Sequence, residues 1–199
     1  MNAQILLFDG FDELDALAPY EVLVNACVEA DDCSVQLVTL DGARAVRGSH
    51  GAVVQSHGAL DGQATLLMIP GGGWNDRSPQ GAYAEAQRGA VPAAIAAAHD
   101  GGTTIASICT GAMLVLAAGL LDGRPATTHH GAFDELRASA AQLIEARVVD
   151  DGDILSCGGV TSGIDLALHL VEREFGAARA AAVAAELEHT PVGTVWRRP

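Results

Sequence analysis

Short apolar runs alternate with longer stretches of helical spacing along the chain. Residues 4–8 form an apolar run that stops at Asp9-Gly10, and residues 14–29 follow with Leu14, Leu17, Val22 and Val28 at helical intervals. Residues 34–40 read as a strand ended by Asp41-Gly42, and residues 45–47 and 52–55 as a small hairpin. A buried strand at 65–69 is stopped by Pro70-Gly71-Gly72-Gly73, and a helix at 83–99 is expected to be irregular at Pro92. The alternation continues with a strand at 103–108, a helix at 110–118 closed by Gly119 as a left-handed cap, a short strand at 126–129 and a helix at 131–139. Residues 148–150 and 154–156 read as a hairpin around Asp151-Gly152, and helices at 162–175 and 177–187 complete the set. Strands separated by helices predict an α/β fold with a mostly parallel sheet covered on both faces and a site at the carboxyl edge of the strands. The 199 residues fit one domain, 1–199, better than two small ones.

Composition narrows the function. Hydrophobic residues make up 49% of the chain and aromatic ones only 4%, so the core is expected to be aliphatic. No apolar run reaches the roughly 18 residues a membrane helix needs, and the first residues lack a signal-peptide pattern, which together predict a cytoplasmic protein. A net charge of −14 argues against nucleic acid or an anionic membrane as partner, because phosphate contacts need clustered cations. The 11 basic residues are all arginine, against 25 acidic ones, a balance consistent with a halophilic source or with a GC-rich genome. The four cysteines, Cys27, Cys33, Cys109 and Cys157, are too sparse for a secreted scaffold and are expected to be reduced thiols, with a Cys27–Cys33 bridge as the minor alternative.

Candidate chemistry concentrates at Ser107-Ile108-Cys109-Thr110-Gly111, where a β-branched run passes almost directly into a helix. A thiol on such a turn projects above the sheet edge, and the unpaired amides of the following helix favour its thiolate form. Read alone, Cys109 fits better as the small buried hydrophobe that most free cysteines are, and the glycine loop shifts the balance. The Gly71-Gly72 loop should end on the same edge, where bare amides can hold an oxyanion. Asp15 lies in the acidic stretch Asp9, Asp12, Glu13, Asp15, and is either a cap or a carboxyl carried inward with a raised pKa. The chain lacks a Gly-Lys-Ser/Thr phosphate loop, a dinucleotide fingerprint and a Gly-x-Ser-x-Gly elbow. Its seven histidines and four cysteines show no His-x-x-x-His or Cys-x-x-Cys spacing, so neither metal nor cofactor is expected.

Taken in order, Leu14-Asp15-Ala16-Leu17-Ala18-Pro19, Ile69-Pro70-Gly71-Gly72, Ser107-Ile108-Cys109-Thr110-Gly111, Ala126-Thr127-Thr128-His129 and Gly158-Gly159-Val160-Thr161-Ser162-Gly163 resemble the ThiJ/PfpI superfamily over nearly the whole chain. The resemblance implies a flavodoxin-like three-layer sandwich of the class I glutamine amidotransferase type, usually a homodimer. The Cys-Thr-Gly elbow with Asp15 is most similar to isonitrile hydratases and to the ligand-sensing domains of some AraC-type regulators. The protease, glyoxalase and deglycase branches usually carry histidine after the nucleophile and glutamate on the first helix, where this chain has Thr110 and Asp15. An amidotransferase triad is also not reproduced at Glu188-His189-Thr190-Pro191. The resemblance implies Cys109 as nucleophile, Asp15 and Thr110 as its catalytic partners, and Gly71, Gly72, Thr110 and His129 around a small electrophilic substrate. The expected activity is hydration of isonitriles to formamides. A ligand- or redox-sensing domain without turnover and glyoxalase or deglycase chemistry at the same cysteine are the alternatives.

Overall fold

The computed structural model describes residues 1–28 and 30–198. In chain order the first half contains β1 (Asn2–Leu6), α1 (Glu13–Cys27), β2 (Ser34–Thr39), β3 (Ala45–Arg47), β4 (Val53–Gln55), β5 (Gly58–Ala59), β6 (Leu66–Ile69), α2 (Ala82–Arg88) and α3 (Ala90–Asp100). The second half contains β7 (Thr104–Ile108), α4 (Gly111–Ala117), β8 (Pro125–Ala126), α5 (Phe133–Ala138), β9 (Gln142–Leu143), β10 (Val148–Asp150), β11 (Ile154–Cys157), α6 (Ser162–Phe175), α7 (Ala177–Glu186) and β12 (Val195–Arg197). The expected end of the first helix, Glu29, lies outside the described residues.

Eight strands form one sheet in the order β12-β10-β11-β7-β6-β1-β2-β5, parallel except where β10 meets β11. Helices α1, α6 and α7 pack together on one face, and α2, α3 and α4 on the other. This is the flavodoxin-like three-layer sandwich that the sequence suggested. Strands β6 and β11 are buried at every position and β7 at all but its first, as parallel strands covered on both faces must be. Their apolar runs therefore show no alternation. No helix among the described residues is long and apolar enough to cross a membrane.

Several local expectations need correction. The helix expected at 83–99 is two helices, and Gly89, at φ +80°, makes the break. Pro92 falls in the first turn of α3, where a missing N–H leaves no bond unmade. The strand expected at 126–129 shrinks to β8, which pairs with β9 outside the main sheet, and the tail supplies the edge strand β12. Cys27 and Cys33 are joined in a disulfide, not reduced as expected. The turn between α1 and β2 brings their Cα atoms to 5.3 Å, within bridging range, a proximity that six-residue spacing alone does not reveal. The cysteine argument for a reducing compartment falls with it.

Candidate active site

Strand β7 ends at Ile108 and α4 begins at Gly111, so Cys109 and Thr110 must turn the chain within two residues. Cys109 does so at φ +56°, a left-handed conformation that costs a residue with a Cβ on the order of 1–3 kcal/mol. Neighbouring groups hold it there. Its N–H donates to the Gly158 carbonyl at 3.1 Å, and its carbonyl accepts from the Thr128 hydroxyl at 3.0 Å. Gly111 is required for a packing reason, since a Cβ there would lie 2.1 Å from the Ile69 carbonyl oxygen.

Asp15 is carried inward. Asp12 caps α1, its Oδ1 accepting from the Leu14 N–H at 3.1 Å, and this leaves Asp15 one turn further in with no exposed surface. Its Oδ2 accepts from the Gly71 N–H at 2.9 Å. Its Oδ1 has no partner of hydrogen-bond geometry, although the Cys109 thiol and the Val160 amide are close enough to favour its charge. Burial, reinforced by the neighbouring charge of Asp12, pushes the Asp15 pKa up to about 7.

Cys109 is only 6% exposed. Burial, and then the charge of Asp15, push its thiol well above the usual range, against the pull of the Thr110 and Val160 amides. The expectation of a resting thiolate is therefore corrected. The amides at the start of the short helix α4 are outweighed by desolvation and by a carboxylate next door. Near neutral pH the pair holds at most one negative charge, and Asp15 is poised to take or give the proton.

The glycine loop also differs from expectation. The Gly71 amide is committed to Asp15, and the Gly72 amide donates to Thr110 Oγ1 at 3.1 Å. Neither is a free oxyanion donor; they hold the Asp15 carboxyl and the Thr110 hydroxyl in place. The amides that face sulfur are those of Thr110 and Val160. Val160, at φ +48°, is a second strained non-glycine residue beside the thiol.

The thiol opens into a cleft of about 200 Å³ whose wall includes Asp12, Trp74, Asp76, His129 and Val160. His129 Nδ1 accepts from the Gly131 N–H at 3.0 Å, which assigns the ring proton to Nε2. Burial, and then the neighbouring His130, lower its pKa, so it is a neutral donor at pH 7. Trp74 is fixed by its indole N–H to Glu135 at 3.2 Å. A larger groove of about 480 Å³ between α6, α7 and the 189–195 segment is lined by none of Cys109, Asp15, Thr110 and His129.

A profile of the DJ-1/PfpI family matches residues 1–173. The chain belongs to this family. Within the DJ-1/PfpI family it is similar to the isonitrile hydratase of Pseudomonas putida, 33% identical over 94% of this chain and 77% of that protein. It is also 33% identical to the HTH-type transcriptional regulator CdhR of Pseudomonas aeruginosa, over 86% of this chain but half of the regulator. Among solved structures, a ThiJ/PfpI family protein from Pseudomonas syringae superposes with a TM-score of 0.83 at 25% identity, covering 96% of this chain and 76% of the other. This DJ-1/PfpI fold thus brings Cys109, Asp15, Thr110, Gly71, Gly72 and His129 to one place. Two residues that contact Cys109 were not singled out by sequence reasoning, Thr128 and Val160. Both lie inside motifs quoted above but carry no chemistry by residue type.

Proposed function

We propose that this protein hydrates isonitriles to N-substituted formamides through Cys109. The observation that carries the reading is the buried pair of Cys109 and Asp15, with Asp15 titrating at about 7 beside the thiol. Sulfur bonds to the terminal isonitrile carbon while the thiol proton, relayed by Asp15, goes to that same carbon, giving an enzyme-bound thioimidate. Water then adds its oxygen to this carbon, and a proton passes to nitrogen. The C–S bond breaks, the formamide carbonyl forms, and the remaining proton returns to sulfur. The Thr110 and Val160 amides stabilise charge on sulfur as it attacks and leaves. The similarity to an isonitrile hydratase supports the substrate.

The acting unit is a homodimer. Leu14 and Val24 are exposed large apolar residues on α1, about 80° apart at 100° per residue, and Val28, just past its end, is exposed as well. The exposed Val53 extends this face, because Glu13 accepts from the amides of His50 and Ala52 and so ties the β3–β4 hairpin to α1. A second copy of the chain is the occupant we propose for this face, and sedimentation of Val28→Glu as a monomer would support it.

Incubation with an alkyl isonitrile should yield formamide, and Cys109→Ala should abolish it while the fold survives. Turnover by that variant would refute the covalent route. The similarity to CdhR favours a second reading, a sensing domain. Saturable isonitrile binding without formamide would favour it, and turnover of methylglyoxal instead would favour glyoxalase chemistry.

A further inference from the structure

Among the described residues, the Cys109 cleft is lined by two carboxylates, Asp12 and Asp76, and no arginine, and the chain has no lysine. Asp12 is fixed in place because its other role is to cap α1. Its charge acts on Asp15, Cys109 and His129 alike. Arg77, next in sequence to Asp76, does not line the cleft: it pairs with Glu135 at 2.8 Å, and its guanidinium lies over the Tyr83 ring at 4.6 Å and, at 5.7 Å, over the Trp74 ring. The histidine at the mouth is neutral. A narrow cleft whose walls carry one sign of charge concentrates ions of the opposite sign and repels its own.

We propose that the cleft selects substrates by charge, admitting small electrophiles that carry a cationic group such as an ammonium and turning anionic ones away. The proposal rests on Cys109 as the nucleophile and deepens that reading by naming the substrate class. The cleft's small volume limits the substrate to a compact molecule, since most ligand sites span roughly 300–1,000 Å³.

The test labels Cys109 with three methanethiosulfonates: trimethylammonioethyl, methyl and sulfonatoethyl. In each case the cysteine sulfur bonds to the reagent's sulfenyl sulfur and methanesulfinate leaves, giving a mixed disulfide. Rates are read by mass spectrometry of the Cys109 peptide and divided by the rate on a small free thiol. At low salt the cationic reagent should exceed the anionic one by about tenfold or more. The ratio should fall toward one in concentrated salt and in the Asp12→Asn/Asp76→Asn double variant. Asparagine is a good N-cap, so α1 keeps its start, and the single Asp76→Asn variant at an exposed site serves if the double variant does not fold. Asp31→Asn/Asp32→Asn removes the same charge at the opposite edge of the sheet and should leave the ratio unchanged. A ratio near one in the native protein would overturn the proposal, as would its persistence without Asp12 and Asp76 or an equal loss on neutralising Asp31 and Asp32. Labelling needs no isonitrile, so a high ratio without formamide would sink only the hydratase reading, and formamide with a ratio near one only the charge selection.

Discussion

Replacing Asp15 with asparagine should remove a pH dependence from the stability of the whole protein. In the folded chain this carboxyl titrates at about 7, against an ordinary value of 3.8. Between those values the folded state holds a proton that the unfolded state has released, so stability falls as pH rises through that window and is level beyond it. With one unit worth about 1.36 kcal/mol, this group alone makes the protein about 2–3 kcal/mol less stable at pH 8 than at pH 5. For a chain of this size that is a midpoint shift of about 5–10 °C. Asparagine cannot ionise, and its carbonyl can keep the bond from the Gly71 amide. Urea or thermal unfolding of both proteins at several pH values isolates the contribution as a difference, cancelling every other titrating group. Wild-type stability should decline relative to Asp15→Asn from pH 5 to 8. Parallel curves, or a relative gain by the wild type, would show that Asp15 does not ionise under burial as argued.

Three further outcomes follow from the packing. Gly111→Ala should lower the urea midpoint by an amount equivalent to about 3 kcal/mol or more, because its Cβ meets backbone rather than a movable side chain, whereas Gly62→Ala, facing open space, should change little. Thr128→Val removes the shorter of the two bonds to the Cys109 carbonyl, leaving only that from the Ala112 N–H at 3.4 Å, and should cost about 1–3 kcal/mol, read by denaturant melts, with slowed thiol alkylation if the elbow relaxes. In denaturant without reductant, Ellman titration should find two thiols, those of Cys109 and Cys157, and four after reduction; four at the outset would contradict the Cys27–Cys33 bridge.

The elbow was legible because its signal is local: a β-branched run, one cysteine, and a glycine opening a helix. The layered fold was legible for a similar reason, since its apolar runs and helical spacings each lie within a dozen or so residues. Asp15 was half legible. Its burial depends on Asp12 taking the cap, and either acid suits that role by type. The partners of the Gly71 and Gly72 amides were hidden because they lie 56 and 38 residues away and meet only when α1, β6 and α4 converge. The resting state of sulfur was misjudged because helix amides are visible in sequence and desolvation is not. The short strands β5, β9 and β12 left no pattern, since two or three residues cannot establish alternation.

The two ties from the glycine loop, one to the first helix and one to the fourth, make the reacting groups mutually dependent. Drift of any one segment would disturb carboxyl and sulfur together, so laboratory evolution toward new substrates has little freedom at the centre. Its room lies at the entrance, where Asn75 and Asp76 can be exchanged without unlacing the machinery beneath.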